Sequence, residues 1–393
     1  MTGPLAGIRV VDATQMISGP FATMVLGDQG ADVIKIEPPG AGDVVRYFGA
    51  TRGGMSALFA TTNRNKRGIA IDLRQKRGVG LLKEIVAGAD VFVQNFRPGA
   101  ADRMGIGEPA LRAVAPDLVY VSISGFGERG PYADQRVYDP VIQALSGMAA
   151  VQADAVTARP HMAQTLLPDK LTAITAAQAI CAALFARERT GQGQHVKLAM
   201  LDAMVAWLWP DGMWNETLIG EGVVNELPGG FNLVFETRDG FITAAALQDK
   251  EWEGMVRALD RPELASDARF KTVQDRTAHV DAMLTLVGDA LRTRTTDEWL
   301  GRLRQQDVPC APILDRQQVI EHPQILANKL LRESVHPTAG PMREPRPAAD
   351  FGETPSEVRL PAPQLGEHTD DVLAKLGHTQ REIGSLRDQG VVA

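Results

Sequence analysis

The sequence predicts an α/β protein with a mostly parallel sheet and a second, smaller α+β domain. Short β-rich runs alternate with helical stretches through the first 130 residues. We expect a strand at 8–11, a helix closed by glycine at 19–31 and a strand ended by prolines at 32–39, which together make one βαβ unit. Because strands that alternate with helices favour a parallel sheet covered on both faces, the predicted layout is Rossmann-like.

The same alternation continues along the chain. Further strands are expected at 68–72, 90–94 and 118–124, with a helix at 79–89 and a short one before 118. A long apolar helix follows Pro168 and Asp169, since apolar residues recur there at helical spacing, at Ile174, Ala177, Cys181 and Leu184. Gly191 and Gly193 end this helix, and the alternating residues 195–200 predict one more strand.

Composition excludes several classes of protein. With 393 residues, of which 44% are hydrophobic and 23% charged, the chain is long enough for two domains with cores. A net charge of −7 and the lack of a Lys/Arg-rich run argue against nucleic-acid binding. Cys181 and Cys310 lack paired spacing and the seven histidines lack ligand spacing, so no disulfide framework or metal site is predicted. With no uninterrupted run of about 18 apolar residues, we expect no membrane span and a cytoplasmic protein.

The second half of the chain differs in composition from the first. The large domain is expected to occupy 1–205, followed by a glycine-rich polar linker at 206–228. A smaller α+β domain is predicted at 229–320, with a hairpin turning at Asp239 and Gly240, and a return linker at 321–334. Trp207, Trp209 and Trp214 fit either an interface or a core.

Asp169 has two interpretations from the residues alone. It could cap the long helix by accepting a hydrogen bond from the first turn. It could also be a nucleophile, since a carboxylate near the positive end of a helix stays ionised and can attack an activated acyl group. Other chemistries find less support, because the first turn, DATQMISGPFA, lacks G-x-G-x-x-G and SISGFG does not match G-x-S-x-G.

Two polar segments border predicted strands. The first carries Arg64, Lys66 and Arg67, and the second carries Asn95, Phe96, Arg97 and Arg103 after a strand. Ligands of open α/β sheets collect at the carboxyl ends of strands, where the second segment is expected. Cations with a nearby aromatic ring suit a phosphorylated nucleotide.

Five sequence blocks carry a family resemblance that runs from Leu5 to about Gly377. They are GIRVVDATQMISGPFATMVLGDQGADVIKIEPPGAGD, NRNKRGIAIDL, VQNFRPGAADRMG, ARERTGQGQHVKLAMLDAM and PQLGEHTDDVLAKLG. Together they resemble the class III CoA-transferases, the group of formyl-CoA transferase and carnitine CoA-transferase. The resemblance implies a CoA-transferase that uses acyl-CoA as a substrate, needs no tightly bound cofactor or metal, and forms an interlocked homodimer whose large domain is completed by residues 335–393.

The resemblance also implies roles for particular residues. Asp169 matches the catalytic aspartate, which makes the nucleophile our preferred interpretation. The loop Gln15, Met16, Ile17 and Ser18 is expected to lie against CoA. Further CoA contacts are implied at Asn95, Phe96, Ala100, Arg103, Met104 and Arg136, with Tyr138 beside the site. Gly229 and Gly230 are the expected remnant of a glycine loop that would stabilise oxyanions.

Two departures from the family pattern bear on the reaction. Members that use oxalate have a glutamine where this chain has Ile17, so oxalate is not expected to be a good acceptor. The related α-methylacyl-CoA racemases have a histidine where this chain has Tyr138, and tyrosine is a poor base at neutral pH. Racemisation is therefore the runner-up. A non-catalytic acyl-CoA-binding protein on the same scaffold is the third hypothesis.

Overall fold

The computed structural model describes residues 2–154, 156–223 and 232–393, so the predicted loop residues Gly229 and Gly230 lie outside the described residues. The strands are β1 Arg9–Ala13, β2 Asp32–Glu37, β3 Thr51–Arg52, β4 Met55–Ser56, β5 Lys66–Ala70, β6 Val91–Gln94, β7 Val119–Ser124, β8 His195–Ala199, β9 Val234–Glu236, β10 Phe241–Ala244, β11 Cys310–Pro312, β12 Leu331–His336 and β13 Gly340–Pro345. The helices are α1 Ser18–Asp28, α2 Ala57–Asn63, α3 Lys76–Val86, α4 Ala100–Arg103, α5 Glu108–Arg112, α6 Asp139–Leu145, α7 Met148–Val151, α8 Leu167–Thr190, α9 Met200–Gly212, α10 Asp249–Ala258, α11 Val273–Ala278, α12 Val280–Leu291, α13 Thr296–Gln305, α14 Arg316–Glu321, α15 Pro323–Ala327, α16 Thr369–Lys375 and α17 Gln380–Asp388.

Six strands form the main sheet in the order β5-β2-β1-β6-β7-β8, and every neighbouring pair is parallel. The predicted α/β class with a large parallel sheet is therefore confirmed. The chain leaves β1 toward β2 and β5, and then adds β6, β7 and β8 on the other side of β1. This reversal puts a topological switch point between β1 and β6, where open α/β sheets bind their ligands.

Each face of the sheet carries its own hydrophobic core. One face packs against α1 and α8 through residues such as Leu26, Ala176 and Ile180. The other face packs against α3 and, from the far end of the chain, α16 and α17, through residues such as Leu82 and Leu373. Helix α8 is long and apolar enough to cross a membrane by length and hydropathy, but its inner face lies in the first of these cores.

The chain forms two compact units, residues 1–209 with 329–393 and residues 210–328. Regular structure occurs within both of the predicted linker ranges, 206–228 and 321–334. Helix α9 extends to Gly212 and contains Pro210, and its Leu208 side chain is buried. The return segment 321–334 contains α15 and the start of β12.

The smaller unit contains a three-stranded antiparallel sheet in the order β11-β10-β9. Strands β9 and β10 form the predicted hairpin, with Asp239 and Gly240 between them. Its core is built around Trp252 and Trp299, both almost fully buried, and the indole N–H of Trp299 donates to the carbonyl of Leu291 (2.6 Å).

The cations Arg64, Lys66 and Arg67, which border a predicted strand, form ion pairs within the fold. Arg64 pairs with Asp28 (2.7 Å) and reaches the return segment at Glu344 (3.1 Å). Lys66 is fully buried against Asp12 (2.9 Å), and Arg67 pairs with Asp32. The local sequence does not reveal these ion pairs, because the acidic partners come from other strands and helices.

Candidate active site

Two loops meet at the switch point of the sheet. The β1–α1 loop contains Gln15, and the loop after β6 begins with Asn95. The Asn95 side chain accepts from the Gln15 backbone N–H (2.9 Å) and donates to the Gln15 carbonyl (2.7 Å). The Asn95 amide thus ties the two loops together across the crevice in which the sheet topology predicts a ligand.

Two buried charged residues form hydrogen bonds with the backbone of the β1–α1 loop. Met16 adopts a positive φ of 68°, a strained conformation for a residue with a side chain, and its N–H donates to Asp43 (3.1 Å). Asp43 also pairs with the fully buried Lys35 (3.1 Å), which in turn donates to the Thr14 carbonyl (3.0 Å). The strained loop is therefore fixed by a buried ion pair that bonds to its backbone at two points.

Asp169 lies inside the first turn of α8 and not at its N-cap. The N-cap is Leu166, whose side chain makes no capping bond, and Pro168 fits in the first turn because it has no N–H that needs an acceptor. The N–H of Asp169 donates to the carboxylate of Asp139 (3.2 Å), a buried residue in the first turn of α6. Asp139 thus does the capping expected of Asp169, and the Asp169 carboxylate is left available for other contacts.

The Asp169 carboxylate faces the N-terminus of a second helix. Ser18 is the first residue of α1, and both its hydroxyl and its backbone N–H favour the ionised carboxylate. Burial and the neighbouring charge of Asp139 act in the opposite direction and raise the pKa of Asp169 to about 6. The group is therefore mostly ionised at neutral pH, yet more basic than an ordinary aspartate.

Asp169 lines a cavity of about 250 Å³ that is built entirely within the large unit. The cavity collects seven of the predicted site residues, namely Met16, Ser18, Asn95, Phe96, Arg136, Tyr138 and Asp169. Residues from the ends of β7 and β8 complete its wall, including Ser124, Phe126 and Met200.

Five predicted contacts do not line this cavity. Ile17 is buried in a separate apolar cluster with Val45 and Phe59, because it anchors the loop to the interior. The backbone N–H and carbonyl of Gln15 form hydrogen bonds with the Asn95 side chain. The other three residues lie in or just after α4, namely Ala100, Arg103 and Met104. Met104 packs against a core, while Arg103 is exposed.

Two exposed arginines give the cavity a cationic rim. Arg97 and Arg136 both line it, and neither forms an ion pair within the described part of the chain. Unpaired guanidinium groups are well suited to phosphate or carboxylate oxygens. Within the same described residues, no cluster of His, Cys, Asp or Glu could hold a metal ion.

Comparison with known proteins identifies the family of this chain. The model of CoA-transferase family III matches residues 5–369. The chain belongs to this family. As a family III member it is similar to succinyl-CoA:glutarate CoA-transferase of Homo sapiens, with 34% identity over 99% of this chain and 90% of that protein. Acetyl-CoA:oxalate CoA-transferase of Acetobacter aceti is also 34% identical, over 93% of this chain and 94% of its own.

Solved structures of the family have the same fold. A CaiB/BaiF family protein of Brucella suis superposes with a TM-score of 0.82 at 30% identity, over 96% of this chain and 100% of that one. The large parallel sheet described above is thus the fold of the family. The relatives' names identify CoA-transferases, so this chain is a CoA-transferase that handles CoA thioesters.

The sequence interpretation of this CoA-transferase missed Asp139. The only local signal was an acidic residue before a proline at a helix start, in Tyr138-Asp139-Pro140, which is typical of an ordinary helix N-terminus. The 30-residue separation between Asp139 and Asp169 hides their contact from any spacing argument. Chemically, the cavity offers a basic carboxylate, nearby helix N-termini and an arginine rim.

Proposed function

We propose that this family III member transfers CoA from an acyl-CoA donor to a carboxylic acid acceptor, with Asp169 as the nucleophile. The observation that carries the proposal is the Asp169 carboxylate at the head of α1 and α8, in a cavity rimmed by Arg97 and Arg136. A pKa of about 6 leaves the group ionised at pH 7 and makes it a stronger nucleophile than an exposed aspartate.

The reaction proceeds by exchange of one anion for another. The Asp169 carboxylate attacks the thioester carbonyl of the donor, the C–S bond breaks, and CoA thiolate leaves a mixed anhydride. The thiolate attacks the aspartyl carbonyl, the anhydride C–O bond breaks, and the donor acid departs from an aspartyl-CoA thioester. The acceptor carboxylate then repeats the two steps in reverse order. Each step exchanges activated acyl groups of similar energy, so no ATP is required.

Ser18 and the ends of α1 and α8 would supply the electrostatic stabilisation in this scheme. Their N–H groups would stabilise the negative charge both on the Asp169 oxygens and on the oxyanions of the tetrahedral intermediates. Gly229 and Gly230 remain the proposed second source of donors. The exposed cations Arg97, Arg103 and Arg136 are the proposed partners of the CoA phosphates or of substrate carboxylates.

We further propose a dicarboxylic acid as the acceptor. The human and Acetobacter relatives are named for glutarate and oxalate, and Arg136 offers an unpaired guanidinium in the Asp169 cavity. Ile17 cannot hydrogen-bond intermediates from its buried position, so oxalate is the acceptor we expect to be poor. A panel of glutarate, succinate and oxalate, with butyrate as the monocarboxylate control, tests the assignment. Equal rates for glutarate and butyrate would reject it.

A cytoplasmic homodimer is the proposed state of the protein. Ile174, Gln178, Ala182 and Phe185 form one exposed stripe along α8, and Trp207 and Trp209 on α9 are also partly exposed, at 48% and 40%. A second copy would cover this mostly apolar surface. Light scattering should report a dimer for the wild type and a weakened one for Phe185→Glu; a monomeric wild type would reject this proposal. Both cysteines are free, as suits a reducing compartment.

Intact-protein mass spectrometry tests the covalent mechanism. Wild type, Asp169→Ala and the exposed control Asp117→Asn are incubated with succinyl-CoA or acetyl-CoA and trapped with hydroxylamine or borohydride. A CoA-sized or acyl-sized adduct is expected on the wild type and the control, and none on Asp169→Ala. If every protein binds acyl-CoA and none forms an adduct, the mechanism is wrong. Exchange of the acyl α-proton with solvent deuterium, in the absence of an acceptor acid, would then favour racemisation. Binding of acyl-CoA with neither adduct formation nor proton exchange would favour the non-catalytic hypothesis.

A further inference from the structure

A chain of side-chain hydrogen bonds crosses three strands of the main sheet. It begins at His195, the first residue of β8, whose Nε2 lies 2.9 Å from the hydroxyl of Ser122 on β7. The Ser122 hydroxyl accepts from the side-chain amide of Gln94, the last residue of β6 (2.9 Å). We call these three residues the His195 relay.

The relay ends on a loop of the active site. The Gln94 Oε1 accepts a hydrogen bond from the backbone N–H of Phe96 (2.7 Å). Phe96 lines the Asp169 cavity and also a neighbouring cavity of about 780 Å³, which Gln94, Ser122 and His195 line as well. The relay therefore connects the wall of the larger cavity to the loop that carries Phe96 and Arg97.

The direction of each hydrogen bond depends on the protonation of His195. Neutral His195 can accept a hydrogen bond from the Ser122 O–H at Nε2. The Ser122 oxygen then accepts from the Gln94 N–H. With its NH2 group turned toward Ser122, Gln94 presents its Oε1 to the backbone N–H of Phe96. A protonated imidazole has two donors and no acceptor, so Ser122 loses the partner for its O–H. The Ser122 oxygen can still accept from the Gln94 N–H, but the unpartnered Ser122 O–H favours the flipped amide, whose Oε1 would face Ser122 and whose NH2 group would face the Phe96 N–H.

The surroundings of His195 favour the neutral form. Burial and the ammonium of Lys197 lower the pKa of His195, against the weaker opposing effects of carboxylates at Glu108, Glu128 and Asp102. Lys197 is itself paired with Glu128 (2.5 Å). The edge of the His195 ring meets the ring of Tyr120 on β7, with centroids 4.9 Å apart.

We propose that Gln94, Ser122 and His195 are positioning residues that hold the Phe96 backbone, and with it the loop from Asn95 to Gly99, in the conformation that binds acyl-CoA. The inference rests on the proposed function, since it assigns that loop to the CoA substrate. The relay touches no reacting atom, so its loss acts on substrate affinity and leaves the chemistry at Asp169 intact.

Calorimetric titration with CoA and steady-state kinetics with succinyl-CoA test the relay. Ser122→Ala and His195→Phe each remove one link, and we expect each to raise the Kd for CoA and the KM by about fivefold, the worth of one neutral hydrogen bond, with kcat within about twofold. His195→Gln keeps an acceptor near the Nε2 position and should restore both constants. His378→Phe, at a histidine paired with Glu84 outside both cavities, is the control and should match the wild type.

The pH dependence separates positioning from a merely structural role. Wild-type affinity for CoA should fall at acidic pH as His195 becomes protonated, while the affinity of His195→Gln, which cannot take up that proton, should change less. The inference is overturned if Ser122→Ala and His195→Phe bind CoA like the wild type, or if His195→Gln is as impaired as His195→Phe. A wild type that binds no CoA would instead reject the proposed function.

Discussion

Replacing Asp169 by asparagine should make the protein more stable while abolishing its activity. The folded chain holds the pKa of Asp169 at about 6, against 3.8 for the ordinary group, so ionising it costs folding free energy. Asparagine keeps the size of the side chain and removes the charge. Its Oδ1 can accept from Ser18, and its amide can donate toward Asp139, which turns a repulsion into an attraction.

The magnitude follows from the difference between the two pKa values. A difference of about two units corresponds to about 3 kcal/mol at pH 7.5, where both folded and unfolded chains are ionised. The cost falls to about half of that at pH 5 and is small at pH 4, because the folded carboxyl is then protonated. Partial exposure of the side chain reduces these values, so we expect a gain of about 1–3 kcal/mol at pH 7.5 that shrinks as the pH falls.

Urea unfolding at pH 7.5 and 5 measures this gain, with Asp117→Asn as the control at an exposed position. The same preparations are assayed for the aspartyl adduct, which should be absent from Asp169→Asn. If Asp169→Asn is equally or less stable than the wild type at both pH values, the carboxylate is not held in an unfavourable environment. The electrostatic account of the nucleophile would then be wrong.

Three further substitutions test the supports of the site. Asp139→Asn removes the charge that helps to raise the pKa of Asp169. The fall of kcat/KM on the acid side, expected near pH 6 in the wild type, should therefore move to lower pH. An unchanged pH profile would contradict the coupling between the two carboxylates. Asp43→Ala leaves buried Lys35 without its closest carboxylate and should cost about 3–5 kcal/mol in urea unfolding, whereas a loss below about 1 kcal/mol would mean that the pair is dispensable. Gly19→Ala would place a methyl group 2.3 Å from the Thr14 side chain, so we expect a loss of about 1–3 kcal/mol by the same measurement and reject the packing argument if stability is unchanged.

Local patterns in the sequence predicted most of the main sheet. Apolar runs such as 90–94 and 118–124 have the length and composition of buried strands, and the observed strands begin and end within two residues of the expected positions. The 24-residue helix α8 was equally visible from its spacing and its terminal glycines. These elements depend on neighbours in sequence, which is why a single chain reveals them.

Charged residues were predicted less well, because their partners are distant in sequence. Arg64 bonds to Glu344, 280 residues away, so a loop cation and a buried ion pair look the same in a short window. Asp139 and Asp169 likewise come together only when α6 packs beside α8. Asp169 itself was singled out by its place at a helix start, but its freedom from capping depends on Asp139.

The arrangement around Asp169 suits two opposed requirements of its proposed role as a carboxylate nucleophile. The group must be ionised to attack, yet a carboxylate that is too strongly stabilised is a weak base and a poor nucleophile. Burial and Asp139 destabilise the charge, whereas Ser18 and the N-termini of α1 and α8 stabilise it. With a pKa of about 6, roughly nine-tenths of the groups are ionised at pH 7. Since the same helix N-termini remain in place when the negative charge moves to an oxyanion, the site can stabilise the ground state and the intermediates without rearrangement.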